Sequence, residues 1–404
     1  MTGGTAAAAR LERRVSGIVA LCQTGLDADA LRAGVLSRLR TIVPVEAAFF
    51  AAVDPVTLLF TSAVAEDPLG TATSLFLENE FGRPDVNKFA TLAEAARPVS
   101  SLDRATGGDR ATSPRYREVM APLGLGDELR AALVVRDRCW GVLCLHRQDS
   151  PSGFSAEELR LVGRLAPHLA EGLRRAVING ASVTPHPFPP DESPAPGIVV
   201  LDSSLALLSM SPEAERWLAD LPDPLWPRAS ELPVPIHAVA ARLVTAEKAD
   251  PWESPPLSSV RLRGRSGRWM SLHATRLQDP AGPRIGIVVQ AVPPAELGSV
   301  LLSAHDLTEA QLRVAALALR GRSTREIVAE LHISGNTVQE HLTAIFDKFG
   351  VRSRRELVAA VLNNSDPGQL AGAGHPVGER AGWGTPGVSQ PRASSPGRSL
   401  RSSR

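Results

Sequence analysis

The chain has 404 residues, of which 43% are hydrophobic, and its 44 basic and 43 acidic side chains give a formal net charge of +1. This length predicts two or three domains, and the composition excludes a wholly disordered or collagen-like chain. The balanced charge excludes a general positive field for a polyanion, so any nucleic-acid contact must come from a local surface.

Three cysteines are too few, and odd in number, for a disulfide framework, and they suit a reducing compartment. No apolar run reaches the roughly 18 residues of a membrane span. The alanines of the N-terminal segment precede its arginines, an order that does not fit a secretory signal. We therefore expect a cytoplasmic protein without a membrane partner.

The first segment, residues 1–178, has the pattern of an α+β domain. An opening helix is predicted around Arg10–Cys22, and a second amphipathic helix follows the capping sequence that begins at Ser155. Between them, alternating apolar residues predict strands at Ala47–Val53, Leu58–Ser62, Glu128–Val135 and Cys139–His146. Strands flanked by terminal helices are typical of an α+β sensor module.

Residue types suited to catalysis or metal binding are sparse in this segment. Strict alternation along the last strand predicts Trp140, Cys144 and His146 on one face and Cys139 on the other. A Cys-x-His pair without further ligands at suitable spacing favours strand packing over a metal or thiol site. The sequence also lacks a phosphate-binding loop. We therefore predict no catalytic residue, no metal and no cofactor.

A proline-rich linker is predicted at residues 179–196, because six prolines between Ser182 and Pro196 cannot continue a helix or a central strand. The next segment, residues 197–294, contains apolar runs that predict several strands. It also contains a short helix that begins after Ser211, with proline at its first position. The final residues, 365–404, consist mainly of Gly, Pro, Ser and Arg and are expected to be disordered.

Four short helices are predicted in residues 303–364. Capping boxes begin at Thr308, Ser323 and Ser353, and Ser334 is the N-cap of the remaining helix. Short apolar stripes on these helices must converge on one small core, because helices of this length are unstable alone. Only two residues separate the second and third helices, which forces the sharp angle of a helix-turn-helix.

The third helix has an exposed polar face suited to DNA. Short hydrogen-bonding groups lie near its N-terminal end and a lysine near its C-terminal end; the candidate DNA-binding residues are Ser334, Asn336, Thr337, Val338, Gln339, His341 and Lys348. Groups of this kind can contact base edges and phosphates in a major groove, whose width admits one helix.

The residues Leu307-Thr308, Gly321, Ser323, Ile333-Ser334 and Thr337-Val338, with His341, Lys348 and Gly350-Val351 after them, follow one sequential pattern. Between Leu307 and Val361 the chain resembles the DNA-binding domain of LuxR-family transcriptional regulators. This resemblance implies that Thr337, Val338 and Gln339 face the groove. It also implies that Ser334, His341 and Lys348 contact phosphates, and that double-stranded DNA and RNA polymerase are partners.

The upstream segments carry their own resemblances. The stretch CWGVLCLHR resembles a late strand of GAF domains, and residues 10–178 are similar to actinobacterial LuxR-type regulators that carry such a domain. This implies a small-molecule or protein effector at the GAF-like domain. The strand pattern of 197–294 resembles a PAS domain, with a generic linker domain as the alternative. The expected fold is α+β multidomain: GAF-like, PAS-like, then an all-α four-helix helix-turn-helix.

Two departures from the LuxR pattern bear on affinity. Ala310 and Gln311 replace the usual arginine and glutamate of the first helix, and Gln339 stands where a lysine is frequent. Losing a lysine weakens the salt-dependent part of DNA affinity and makes binding as a homodimer more necessary. Two alternatives remain open: a signalling adaptor that binds other transcription proteins without DNA, and an enzyme with a helical docking module.

Overall fold

The computed structural model describes residues 2–149, 153–179, 195–221, 232–246, 258–280, 282–292, 300–302, 304–305 and 307–362. Most of the predicted linker 179–196 and all of the predicted disordered tail 365–404 lie outside these residues. None of the described helices is long and apolar enough to cross a membrane.

The first sheet has five antiparallel strands in the order β2-β1-β5-β4-β3. The strands are β1 (Ala47–Val53), β2 (Phe60–Ala65), β3 (Val99–Ser101), β4 (Leu125–Val135) and β5 (Arg138–Gln148). Strands β4 and β5 form a hairpin in which both turn residues, Arg136 and Asp137, have positive φ values of 53° and 57°. This conformation matches the twist of the flanking strands and fixes their register.

Helices cover both faces of this sheet. They are α1 (Thr2–Cys22), α2 (Ala28–Leu39), α3 (Thr73–Gly82), α4 (Phe89–Glu94), α5 (Leu102–Ala105) and α6 (Ala156–Asn179). Helices α1, α2 and α6 pack around Trp140 and Leu143 on one face. On the other face, α3 and α4 bring Phe76, Phe81 and Phe89 against the strand residues Phe49 and Phe60.

The predicted alternation of side chains along β5 is wrong at its start. Leu133 of β4 pairs with Gly141 and Val134 pairs with Cys139, so Trp140 is an extra residue that forms a β-bulge. The bulge reverses the facing of the residues before it. Cys139 therefore lies in the same core as Cys144, and Trp140 lies in the core on the opposite face.

The second sheet repeats the strand order of the first. Its strands β6 (Gly197–Leu201), β7 (Leu207–Met210), β8 (Ser259–Arg263), β9 (Trp269–Leu277) and β10 (Arg284–Ala291) are antiparallel in the order β7-β6-β10-β9-β8. Helix α7 (Pro212–Ala219) begins at Ser211, whose side chain accepts a hydrogen bond from the Ala214 amide as expected of its N-cap. Helix α8 (Val234–Ala246) follows it.

Helix α8 joins the second sheet to the first domain. It packs against α3 and β2, and the Thr245 hydroxyl donates a hydrogen bond to the Phe81 carbonyl. A second link is a buried ion pair across the same junction, in which both carboxylate oxygens of Asp54 accept hydrogen bonds of 2.9 Å from the Arg261 guanidinium. Asp54 also accepts the Arg261 amide at 3.0 Å. The two sheets therefore share both apolar and ionic contacts.

Residues 307–362 form four helices: α9 (Glu309–Leu319), α10 (Thr324–Leu331), α11 (Gly335–Phe349) and α12 (Arg354–Leu362). The predicted capping boxes at Thr308 and Ser323 have both of their hydrogen bonds. At the third, Ser353 accepts the Glu356 amide, but Glu356 accepts from Arg352 instead of Ser353. Gly321 and Gly350 are left-handed, with φ values of 83° and 64°, as helix ends require.

The Asp54–Arg261 pair generates a prediction about stability. The Asp54 side chain is fully buried and that of Arg261 is 11% exposed. Asp54→Ala leaves a buried guanidinium without its carboxylate, which is expected to lower the free energy of unfolding by about 3–5 kcal/mol. The measurement is urea denaturation of the full chain followed by tryptophan fluorescence.

The matched control is Glu118→Ala, which removes the carboxylate of a pair with Arg83 in which both side chains are more than one third exposed. This change is expected to lower stability much less than Asp54→Ala does, because water screens such a pair. Equal losses for the two variants would contradict the structural role of Asp54.

Candidate nucleic-acid interface and sensor interior

The turn between α10 and α11 sets the direction of α11. His332, the residue after α10, adopts the left-handed conformation with φ 53°, which reverses the chain within three residues. Ser334 then caps α11 by accepting the Thr337 amide at 3.1 Å, and its hydroxyl lies 2.9 Å from that of Thr337. The N-terminal end of α11 therefore has a fixed position relative to α10, as in a helix-turn-helix.

The outward face of α11 is polar and open in the described chain. Ser334, Asn336, Gln339 and Lys348 are exposed, and Thr337 and His341 are partly exposed. Glu340 and Thr343, which the sequence also places on this face, are exposed. The structure therefore brings six of the seven candidate DNA-binding residues to the surface of one helix.

Val338 is the exception among the seven candidates. Its side chain is fully buried and packs in the core shared with Val314, Ile327 and Leu342. The next residue, Gln339, is nevertheless exposed, because successive residues of a helix point about 100° apart. The burial of Val338 contradicts the expectation that this side chain faces the groove.

Lys348 has a contact that the sequence did not predict. Its ammonium group donates a 2.8 Å hydrogen bond to the side-chain oxygen of Gln311 on α9. Gln311 is itself held by the capping box of α9, where the same oxygen accepts the Thr308 amide at 3.0 Å. Gln311, which replaces the usual glutamate, therefore still provides an oxygen acceptor for this lysine.

The helix-turn-helix is attached to the first domain through α6. The Arg174 guanidinium donates to the Ala304 carbonyl, and Val177 in the last turn of α6 packs against the core of α9–α12. His305 stacks on Phe349 with ring centroids 3.8 Å apart. Phe349 is at the buried C-terminal end of α11, so these contacts leave the exposed N-terminal residues uncovered.

The interior of the first domain contains a network of buried charges between the sheet and α3. Glu128 on β4 accepts a 2.8 Å hydrogen bond from Arg115, and Arg130 on the same strand donates a 2.8 Å bond to Glu80. Arg130 also lies 3.9 Å above the ring of Phe89. Because buried charges are stable only when paired, these contacts fix α3 and α4 against the sheet.

Three potential metal ligands lie at the centre of this network. Ligand atoms of Glu128, Cys144 and His146 all lie within 4.8 Å of one another, and all three residues are buried. The sequence indicated Cys144 and His146 but missed Glu128, which is 18 residues from His146 in the chain and pairs with it in the sheet. Arg115 and Arg130 flank the same carboxylate, and their positive charges oppose a cation there.

The environment shifts the titration of all three groups. Burial opposes ionisation of Glu128, but Arg115 and Arg130 outweigh it and lower its pKa to about 2. Burial raises the pKa of the Cys144 thiol well above its usual range. Burial lowers the pKa of His146 to about 4, against the attraction of Glu128. Cys144 is therefore a neutral thiol and His146 a neutral imidazole at physiological pH.

Little space remains beside this network. A cavity lined by His146, Phe49 and Phe76 has a volume of about 10 Å³, which is close to that of a single water-sized probe. Neither ring nitrogen of His146 has a hydrogen-bond partner. The cavity that His146 lines is therefore too small for an organic ligand.

His146 generates a prediction about pH dependence. Its pKa is lower in the folded chain, about 4 against 6.5, so its neutral form contributes stability that is complete above pH 6.5 and is lost as the pH falls towards 4. This loss amounts to about 3 kcal/mol. His146→Leu is expected to remove it while leaving stability at pH 7 nearly unchanged, because neither nitrogen makes a hydrogen bond.

The measurement is urea denaturation at a series of pH values between 7 and 4, with His168→Gln, a change at an exposed position of α6, as the control. The control should follow the original chain. An unchanged slope in His146→Leu would show that other groups cause the acid sensitivity.

Two family models match the chain. The model of bacterial regulatory proteins of the luxR family matches residues 305–361, which include α9–α12, and the GAF domain model matches residues 27–173, which include the first sheet. No curated protein sequence matches significantly.

Two solved structures show only a weak likeness. The VqsR LBD domain from Pseudomonas aeruginosa has 19% identity and a TM-score of 0.28, covering 41% of this chain and 95% of that one. The E. coli DhaR(N)–DhaL complex has 14% identity and a TM-score of 0.22, covering 70% and 90%. The two family matches show a GAF domain followed by a luxR-family domain, an arrangement that fits a LuxR-type regulator with a GAF sensor.

Proposed function

We propose that this protein is a sequence-specific transcriptional regulator whose GAF-containing N-terminal part controls DNA binding by the helix-turn-helix. The observation that supports this most directly is the exposed polar face of α11, held by a capped turn within a domain that matches the luxR family. The proposal assigns no catalytic step to the chain, and it places the protein in the cytoplasm, where its DNA lies.

In the proposed complex α11 enters the major groove with its N-terminal end leading. The side-chain amides of Asn336 and Gln339 can each donate to and accept from an adenine edge, and the hydroxyl of Thr337 can bond to either base type. Ser334, His341 and Lys348 lie where phosphate contacts would fix the register of the helix. Val338 holds α11 in its own domain and makes no base contact.

The low net charge of one helix-turn-helix domain makes binding by two copies the more favourable arrangement. The block His305–Leu362 has eight basic and seven acidic residues, so one domain offers few cations to phosphates. A homodimer doubles these contacts and reads two half-sites about one helical turn apart. RNA polymerase is the further partner that transcriptional control requires.

The second sheet supports a PAS-like domain over residues 197–294. Five antiparallel strands in the order second-first-fifth-fourth-third, with helices between the second and third strands, agree with that proposal. With it, the proposed organisation is a GAF-like domain at 1–178, a linker at 179–196, the PAS-like domain, and the helix-turn-helix at 303–364.

Control is proposed to pass through α6. A small-molecule or protein effector at the GAF domain that moves α6 also moves Arg174 and Val177, which contact the segment before α9 and the core of α9–α12. Effector binding then shifts the equilibrium between arrangements of the two reading helices in a dimer.

Two substitutions separate base reading from phosphate contact. Gln339→Ala is expected to relax preference at one base position, at a cost of about 1–3 kcal/mol on the preferred sequence. Lys348→Ala is expected to weaken binding to all sequences alike. It should also reduce the slope of log affinity against log salt concentration by about one. Arg160→Ala, which removes an exposed cation from α6, is the control and should change neither.

The measurement is selection of bound sequences from a random DNA pool with the full chain, followed by affinity titrations over a salt series. Uniform and equal losses from Gln339→Ala and Lys348→Ala would contradict the assigned roles.

The same salt series tests the alternative of an adaptor that binds only proteins, which the near-neutral charge of the helix-turn-helix block favours. For a DNA-binding protein, the logarithm of the binding constant falls linearly with the logarithm of the salt concentration. If the full chain shows no such dependence and no sequence preference, the adaptor is the better description.

A further inference from the structure

A cavity of about 430 Å³ lies where the two sheets and the end of α6 meet. Its walls come from the start of α2, the end of β1, the β8–β9 hairpin, the last turn of α6 and Val300. The volume is within the range of pockets that bind drug-sized molecules, and the lining is mainly apolar. It is more than an order of magnitude larger than the cavity beside His146.

The carboxylates on this wall already have donors. Asp27 accepts the Ala30 amide as the N-cap of α2, and Asp29 is paired with Arg32. Asp54 accepts the guanidinium and the amide of Arg261, as described above. Each acidic side chain on the described wall therefore already accepts a hydrogen bond from the protein.

Two donor side chains on the wall, in contrast, have no carboxylate partner among the described residues. The Trp269 side chain is buried, and its indole N–H has no hydrogen-bond partner. Arg263 donates only to two backbone carbonyls, those of Gly267 at 2.8 Å and Val177 at 3.4 Å, and no described carboxylate lies within ion-pair distance. Burial lowers the pKa of Arg263 to about 10, which still leaves it charged at neutral pH.

A partly buried guanidinium that donates only to backbone carbonyls and a buried N–H group without a partner each carry a desolvation cost that an anionic acceptor would reduce. We propose that the junction cavity binds a small organic anion, such as a carboxylate with an apolar body, whose charged end contacts Arg263 and Trp269. The apolar body would fill the space beside Val53, Ala176 and Leu262. This inference goes beyond the proposed function and can be tested without DNA.

The position of the cavity gives such a ligand a route to the helix-turn-helix. Trp269 and Val300 belong to the hydrophobic core that contains α9–α12, and Val177 packs against that core. All three residues also line the cavity. A ligand that contacts these three side chains would bind most tightly to one packing of the helix-turn-helix on the rest of the chain. It would therefore stabilise that packing.

The test is isothermal titration calorimetry of the full chain with sodium octanoate and sodium cyclohexanecarboxylate. Octanol and cyclohexanemethanol are the uncharged controls of matched shape. We expect saturable binding of at least one carboxylate at one site per chain, and binding of its alcohol at least tenfold weaker. Arg263→Gln should weaken carboxylate binding about ten- to a hundredfold, the range expected for a hydrogen bond to a charged group.

Trp269→Phe keeps an aromatic ring, removes only the indole N–H and should weaken binding several-fold. This variant also keeps the test valid if Arg263→Gln fails to fold, which thermal melts would reveal. Arg160→Gln, at an exposed position on α6, should bind like the original chain.

The absence of saturable binding by both carboxylates overturns the proposal, as does equal binding of acid and alcohol. Unchanged affinity in both Arg263→Gln and Trp269→Phe places the bound anion elsewhere and overturns it too. Because no DNA is present in the titration, these results are independent of whether α11 reads a sequence.

Discussion

Helix α6 packs in two hydrophobic cores at once, and the arrangement of the described chain depends on this constraint. Its body packs Leu165 and Leu169 against the first sheet, while Val177 in its last turn packs with the core of α9–α12. Arg174, one turn earlier, donates to the Ala304 carbonyl. A helix that packs in two cores can transmit a displacement from one to the other, because close-packed cores resist continuous deformation.

Local rules predicted the parts of the fold that are set by neighbours in sequence. The limits of β1, Ala47–Val53, follow from its apolar run, and the caps at Thr308, Ser323 and Ser334 follow from side chains three residues apart. In the candidate site, six of the seven DNA-binding candidates lie on the exposed face of α11, because helical periodicity determines which residues share a face.

What the sequence did not predict depends on contacts distant in the chain or on a single inserted residue. The bulge at Trp140 reverses a strand face without any change in composition. Helix α8 was missed because Pro235 lies near its start and apolar residues surround it on most sides. The pair Glu80–Arg130 joins residues 50 apart, and Asp54–Arg261 joins residues 207 apart, so neither has a local signal.

These distant contacts also bear on where a signal can enter. In the first domain, Glu80, Arg115, Glu128 and Arg130 are buried and mutually paired, and a ligand among them would have to replace charge-assisted bonds in a region that excludes water. At the junction the balance differs, since Arg263 donates only to backbone carbonyls, the Trp269 indole N–H has no acceptor among the described residues, and the space is already present. An anion there would relieve a cost instead of imposing one. It would also contact Val177, Trp269 and Val300, the cavity-lining side chains that pack with the core of the helix-turn-helix.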